Sequence, residues 1–191
     1  MSVLRAIGAR RPGMPLRVVL DKQKTPAMTE LLEELAPDVG ACVIDAAQDG
    51  TTIALAMSEA CRDGALVAML ADRGRGHEVL RRAPFLGSTA PFPASPWLLA
   101  HTLQVPVVLC FGLYMGGNRY RLIFEPFSER VEIPRHDRGP ALDALLARYA
   151  QRLEHYIHVA PYNWFNFYDF WQDAPVADQP AAAAVGERVG I

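Results

Sequence analysis

Residues 83–118 contain no Asp, Glu, Lys or Arg, yet they are interrupted by Pro84, Pro91, Pro93, Pro96 and Pro106. A helix that crosses a membrane needs ~20 consecutive apolar residues. The prolines exclude one here, because each removes a backbone donor and its ring clashes with the preceding helical turn. The interval is read instead as part of one unit over residues 67–111. The unit opens with an apolar strand (Val67, Ala68, Met69, Leu70) that ends on Asp72-Arg73, and continues through the loop Gly74-Arg75-Gly76. A proline-started helix around Trp97, Leu98, Leu99 and Ala100 follows, then a buried strand from Val105 to Cys110. By this pattern the unit is a βαβ-like half of an α/β domain. Open α/β sheets place ligands at the carboxyl ends of their strands.

The flanking segments repeat the theme. Residues 16–20 and 41–44 read as short strands, the second ending on Asp45. Between them Thr25-Pro26 starts a helix with Met28, Leu31, Leu32 and Leu35 on one face. Asp49 restarts the chain into another helix, with Ile53, Met57 and Cys61 on a shared face and Asp63-Gly64 as its end. Strand, helix, strand, helix, strand implies parallel neighbours covered by helices. Further on, residues 112–118 read as loop or hairpin, 119–124 as a half-exposed strand and 131–134 as an edge segment. Residues 141–157 form the longest helix, with Leu142, Leu145, Leu146, Tyr149, Leu153, Tyr156 and Ile157 on one broad face. The expected fold is α/β, a central mixed, largely parallel sheet flanked by helices, in one domain over residues 1–173 with a flexible tail at 174–191.

Residues 162–171 are dense in aromatics, with Tyr162, Trp164, Phe165, Phe167, Tyr168, Phe170 and Trp171. Such rings suit a membrane interface or a segment packed over the core. Aromatic rings mostly end up buried, which favours the core.

With a formal net charge of -2 there is no basic excess to hold nucleic acid. Cys42, Cys61 and Cys110 are odd in number and widely spaced, so they read as small buried hydrophobes rather than a disulfide or zinc framework. His77-Glu78 lacks the second histidine of a zinc-protease helix, since position 81 is Arg. Gly74-x-Gly76 lacks the third glycine of a dinucleotide loop, since position 79 is Val. No Gly-x-Ser-x-Gly elbow is present. His155 and His158 stand one turn apart without a convincing third ligand, so a solvated helix end is the better reading. No cofactor or metal is expected.

Arg73, Arg75 and Arg82, beside two glycines, suit a phosphate or carboxylate. A solvated basic loop, or a structural ion pair between Asp72 and Arg73, would leave the same trace in the sequence. The order of Asp72-Arg73, Pro84-Phe85-Leu86-Gly87, Ala90-x-Phe92, a Leu-Ala helix and Val105-Pro106-Val107-Val108 resembles the lysophospholipid acyltransferase superfamily, in its lipid A late acyltransferase-like branch. The resemblance extends through Arg119-Tyr120-Arg121-Leu122, residues 149–154 and Pro161-Tyr162-Asn163-Trp164-Phe165. It implies acyl transfer from an acyl carrier protein or coenzyme A thioester to a hydroxyl of a lipid or glycolipid acceptor. It also implies peripheral membrane contact on the cytoplasmic face of a bacterial inner membrane. Carried over to this chain, it makes Arg73 the first candidate for holding anionic groups, beside Asp72, with Arg75 and Arg82 as weaker ones. Phe85, Leu86 and Gly87 are expected to shape the neighbouring wall.

The chemistry of that family sits in a His-x-x-x-x-Asp/Glu motif. The residues five positions after the five histidines here are Arg82, Pro106, Ala141, Ala160 and Asn163, none of them acidic. Residues 3–9 resemble the helix that follows the motif in the family. The expectation is therefore an N-terminally truncated reading, or else a homologue that keeps the fold for binding or scaffolding. In either case no catalytic residue is assigned.

Overall fold

The computed structural model describes residues 15–21, 43–74, 78–164, 166 and 168–171. The expected helices at 3–10 and 25–35, residues Cys42, Arg75, Phe165 and Phe167, and the tail at 174–191 lie outside them.

The first part of the described chain is parallel α/β. Strands β1 (Leu16–Leu20), β2 (Val43–Asp45) and β3 (Leu66–Ala68) form a sheet of order β2-β1-β3, with β1 parallel to both neighbours. Helix α1 (Gly50–Arg62) makes the crossover from β2 to β3. It starts where expected because Asp49 accepts hydrogen bonds from the Thr51 and Thr52 amides at 2.9 and 3.0 Å, satisfying donors that have no partner within the helix. The Thr52 hydroxyl, first, and then those amide bonds hold the Asp49 carboxyl below its ordinary pKa. The 3.6-residue spacing puts Ile53 and Met57 against Val19 and Ile44 in a small apolar cluster.

The second part is antiparallel. Strands β4 (Leu80–Phe85) and β5 (Ser88–Pro93) form one hairpin; β6 (Val107–Tyr114) and β7 (Tyr120–Ser128) form another. Helix α2 (Ser95–Leu103) lies between them in sequence and α3 (Arg138–Val159) follows. The main core joins them: Phe85, Phe92, Trp97 and Leu146 are the largest of its fully buried side chains, with Leu142, Tyr149 and Leu153 of α3 alongside. The fold is thus mixed α/β, and among the described residues it contains three small sheets.

Residues 67–111 are not the βαβ unit the pattern suggested, because the β4–β5 hairpin intervenes in the chain between β3 and α2, and β6 pairs with β7. Its two-residue turn is Leu86-Gly87, with φ of 50° and 77°. Positive φ at both central residues gives the strand twist that a two-residue hairpin requires. The turn fixes the register Phe85↔Ser88, Pro84↔Thr89, Ala83↔Ala90, Arg82↔Pro91, Arg81↔Phe92 and Leu80↔Pro93. Hydrogen-bonded and non-bonded pairs alternate along such a ladder. Counting from the closing pair Phe85↔Ser88, Pro84, Pro91 and Pro93 all fall at non-bonded positions, where a missing N–H costs no ladder bond.

The strand expected to be buried at 105–110 is half-buried: Leu109 faces the core while Val108 and Cys110 are exposed. A two-stranded sheet backed by α3 has only one covered face. Cys110 is therefore no buried hydrophobe, and Cys61 is half-buried on α1.

Helix α3 fastens both hairpins. Arg81 of β4 makes a two-pronged pair with Asp143, with Nε and Nη2 at 2.5 and 2.7 Å from the carboxylate oxygens. Arg152 does the same to Glu125 of β7 at 2.6 and 2.8 Å, and the Tyr156 hydroxyl donates to the same carboxylate at 3.0 Å.

Candidate functional site

The chain leaves β3 at Ala68 and reaches Asp72-Arg73 four residues later. Asp72 is 9% exposed and is the one buried charged residue among those described. Burying a carboxylate demands partners, and Asp72 has two. Arg73 donates from Nε to Oδ1 at 3.1 Å and from Nη2 to Oδ2 at 2.7 Å. The Trp164 indole N–H donates to Oδ2 at 3.2 Å, across 92 residues of sequence.

The pair is asymmetric in its exposure: the Arg73 side chain is 38% exposed and that of Asp72 12%. Asp72 thus engages two of the five N–H donors of the guanidinium. The Asp72 hydrogen bonds push the Arg73 pKa up, so the cation is permanent. Two tyrosines feel this charge pair. Tyr149 is pushed well above its ordinary pKa by burial first and by Asp72 second, with Arg73 opposing. Tyr168 is raised by burial against the opposing pull of Arg73.

Gly74 follows at once. A Cβ there would stand 2.4 Å from Leu80 Cδ2, so only a glycine lets the chain pass this close to β4 without moving that side chain.

Phe85 connects this corner to the core. Its ring packs edge-on against Phe92 and Trp164 with centroids 5.3 and 5.4 Å away, and it is 1% exposed. It therefore acts from beneath, by supporting the indole that holds Asp72. Leu86 and Gly87 form the hairpin turn, where the Leu86 amide donates to Glu154 Oε2 at 2.9 Å. Arg82 stands on β4 opposite Pro91. The structure thus brings Asp72, Arg73 and Phe85 together through Trp164. Sequence reasoning did not place Trp164 at Asp72, and nothing local to either residue signals the contact.

A family model described as bacterial lipid A biosynthesis acyltransferase matches residues 4–173. The chain belongs to that family. No curated protein matches it.

Within this lipid A acyltransferase domain, the aromatic segment near the end of the match divides. Phe170 is buried and Trp164 packs on the core, whereas Tyr162 is 95% exposed. A shallow depression of about 260 Å³ lies elsewhere on the domain, lined by His101, Gln104, Arg130, Glu132, Ile133 and Pro134. None of the expected site residues lines it. One ring nitrogen of His101 is engaged with backbone there, Nδ1 lying 3.0 Å from the Val131 carbonyl oxygen and 3.3 Å from the Ile133 amide. The Asp72-Arg73 corner therefore remains the candidate on chemical grounds, as a half-buried and permanently charged guanidinium on a buried support. Among the described residues no helix is long and apolar enough to cross a membrane, and no group of three or more His, Cys, Asp or Glu could hold a metal ion.

Proposed function

We propose that this acyltransferase-family chain forms the substrate-holding part of a site for acyl transfer. The donor is a thioester of acyl carrier protein or coenzyme A, the acceptor a hydroxyl of a lipid or glycolipid, and the place the cytoplasmic face of a bacterial inner membrane. In this reading the parallel strands β1, β2 and β3 are part of a central mixed sheet. The supporting observation is the Arg73 guanidinium, held by buried Asp72 on one edge and 38% exposed on its side chain. A fixed planar cation suits the phosphates of coenzyme A, of a phosphopantetheine arm or of a phosphorylated glycolipid. Arg75 and Arg82 are proposed as auxiliary cations.

The reaction joins the acceptor oxygen to the thioester carbonyl, expels the thiol and moves the hydroxyl proton to a base. A histidine oriented by a carboxylate serves as that base in the family. No histidine of this chain has an acidic residue five positions on. We therefore propose that the 191-residue chain by itself binds and does not turn over. The same absence favours a second reading, a homologue that acts as a binding or scaffold protein.

The test is calorimetric titration of the purified chain with a long-chain acyl-CoA. Arg73→Ala should weaken binding by about tenfold or more, the usual worth of a hydrogen bond to a charged group. Arg73→Lys should fall between, because it keeps the charge and loses the fork. Equal affinity in all three proteins would reject the role of Arg73. Ester product formed by the purified chain from acyl-CoA and a glycolipid acceptor would reject the non-catalytic reading.

A further inference from the structure

The β6–β7 hairpin presents its apolar residues to the outside. The register Val108↔Pro126, Cys110↔Phe124, Gly112↔Leu122 and Tyr114↔Tyr120 places these residues on one face, since alternate residues share a face. Val108, Cys110, Tyr114, Tyr120 and Phe124 are exposed there. The two charged residues within these strands, Arg121 and Glu125, fall on the opposite face, opposite Leu113 and Leu109. That opposite face is the one α3 covers: Phe111 packs on Tyr156 with centroids 4.1 Å apart, and Glu125 is held by Arg152. A sheet with one face to the core and one to water normally alternates the other way, with its polar residues outward. Here the outer face carries no charge at all.

The tip adds a sign. Residues 115–119 form the turn, with Gly116, Gly117 and Asn118 at positive φ and Met115 exposed. Arg119 closes it and Arg121 follows two residues on, exposed but on the opposite face, and no acidic residue occurs between positions 79 and 124. Tyr162 stands at the same end, because its neighbour Asn163 accepts a hydrogen bond from the Tyr114 amide.

We propose that this outer face and its tip dock on a bilayer surface bearing anionic headgroups. Tyrosines, an apolar strip and exposed arginines at one end are the composition of an interfacial anchor. A second copy fits worse. A two-fold dimer would set the patch against itself and offer Arg119 at its tip no carboxylate, since the patch holds none. The proposal rests on the membrane placement given above and names the surface that accomplishes it.

The experiment is co-sedimentation of the full 191-residue chain with vesicles of phosphatidylcholine alone and of three parts phosphatidylcholine to one part phosphatidylglycerol. Neither contains acyl donor or glycolipid acceptor, so the result is independent of the Arg73 titration. Binding is expected to the mixed vesicles, to weaken with added salt, and to be far weaker to phosphatidylcholine alone. Arg119→Glu with Arg121→Glu, both exposed and outside the core, should reduce it by about tenfold or more. Tyr120→Ser with Phe124→Ser should reduce it similarly, while Leu55→Ser, an exposed apolar site on α1, should leave it unchanged. No sedimentation of the unaltered chain, or equal sedimentation of every variant, would overturn the proposal. So would a dimer in solution that Phe124→Ser dissociates.

Discussion

The hairpin β4–β5 reverses in two residues, carries three prolines and sinks both Phe85 and Phe92 into the main core. The hairpin β6–β7 reverses through residues 115–119, has no proline paired within β6 and leaves Val108, Tyr114, Tyr120 and Phe124 about half exposed. Both are fastened to α3 by an arginine-carboxylate fork, Arg81 to Asp143 and Arg152 to Glu125. The attachment is therefore similar and the use of the free face differs. The first hairpin is committed to the interior and supports the Asp72 corner through Phe85 and Trp164, whereas the second leaves an uncharged face exposed.

The contrast can be broken most directly at one phenylalanine on each hairpin. Phe92→Ala should cost about 3–5 kcal/mol in urea unfolding, the usual range for emptying a buried aromatic site. Phe124→Ala should stay within about 0.5 kcal/mol, as surface substitutions do, and similar costs at the two sites would end the distinction. The fastening of the first hairpin comes next. Glu154→Ala removes the acceptor of the Leu86 amide and should cost about 1 kcal/mol, near the net worth of a partly exposed hydrogen bond. That loss should be absent for His158→Ala, whose ring merely approaches the same carboxylate from solvent.

The fastening of the second hairpin should depend on pH. The Arg152 fork, and then the Tyr156 hydroxyl, hold the Glu125 carboxyl below its ordinary 4.5. A carboxyl lowered in the folded state binds fewer protons there than in the unfolded chain, so its stabilisation is full above pH 4.5 and drains as pH falls through the lower folded value. The urea midpoint should therefore drop more steeply below about pH 4.5 in the unaltered protein than in Arg152→Ala. Parallel profiles would mean that the fork adds nothing to stability. The smallest effect belongs to the tip, where Arg119→Glu with Arg121→Glu should leave the unfolding midpoint almost unmoved.

What the sequence disclosed follows from the range of the forces involved. Helix α1 was legible because its cap and its apolar stripe lie within a dozen residues: Asp49 reaches the amides of Thr51 and Thr52, and Ile53 and Met57 recur at helical spacing. The first hairpin was not. Pro84, Pro91 and Pro93 look like strand breakers until the register shows them all at non-bonded positions. Its turn begins with a leucine where asparagine or glycine is the usual sign. At the candidate site, adjacent Asp72 and Arg73 could be paired on paper. Trp164, 92 residues away, could not be assigned to Asp72, because only the packing of the aromatic segment on Phe85 puts it there. The second hairpin misled in another way. Its alternation was visible, but alternation alone does not say which set of residues faces the helix, and here the set that includes Glu125 does.

Leu86 sits in the left-handed region at φ 50°, a conformation that a branched side chain takes up reluctantly, and its amide is gripped by a carboxylate 68 positions further along. A reversal that looks local is consequently conditional on a distant helix having arrived. Residues 80–93 should be poorly ordered as an excised peptide, and in the whole chain their protection from hydrogen exchange should rise and fall together with that of α3. Leu86→Gly would loosen this dependence by letting the bend form unaided, making the segment an early event in folding rather than a late one.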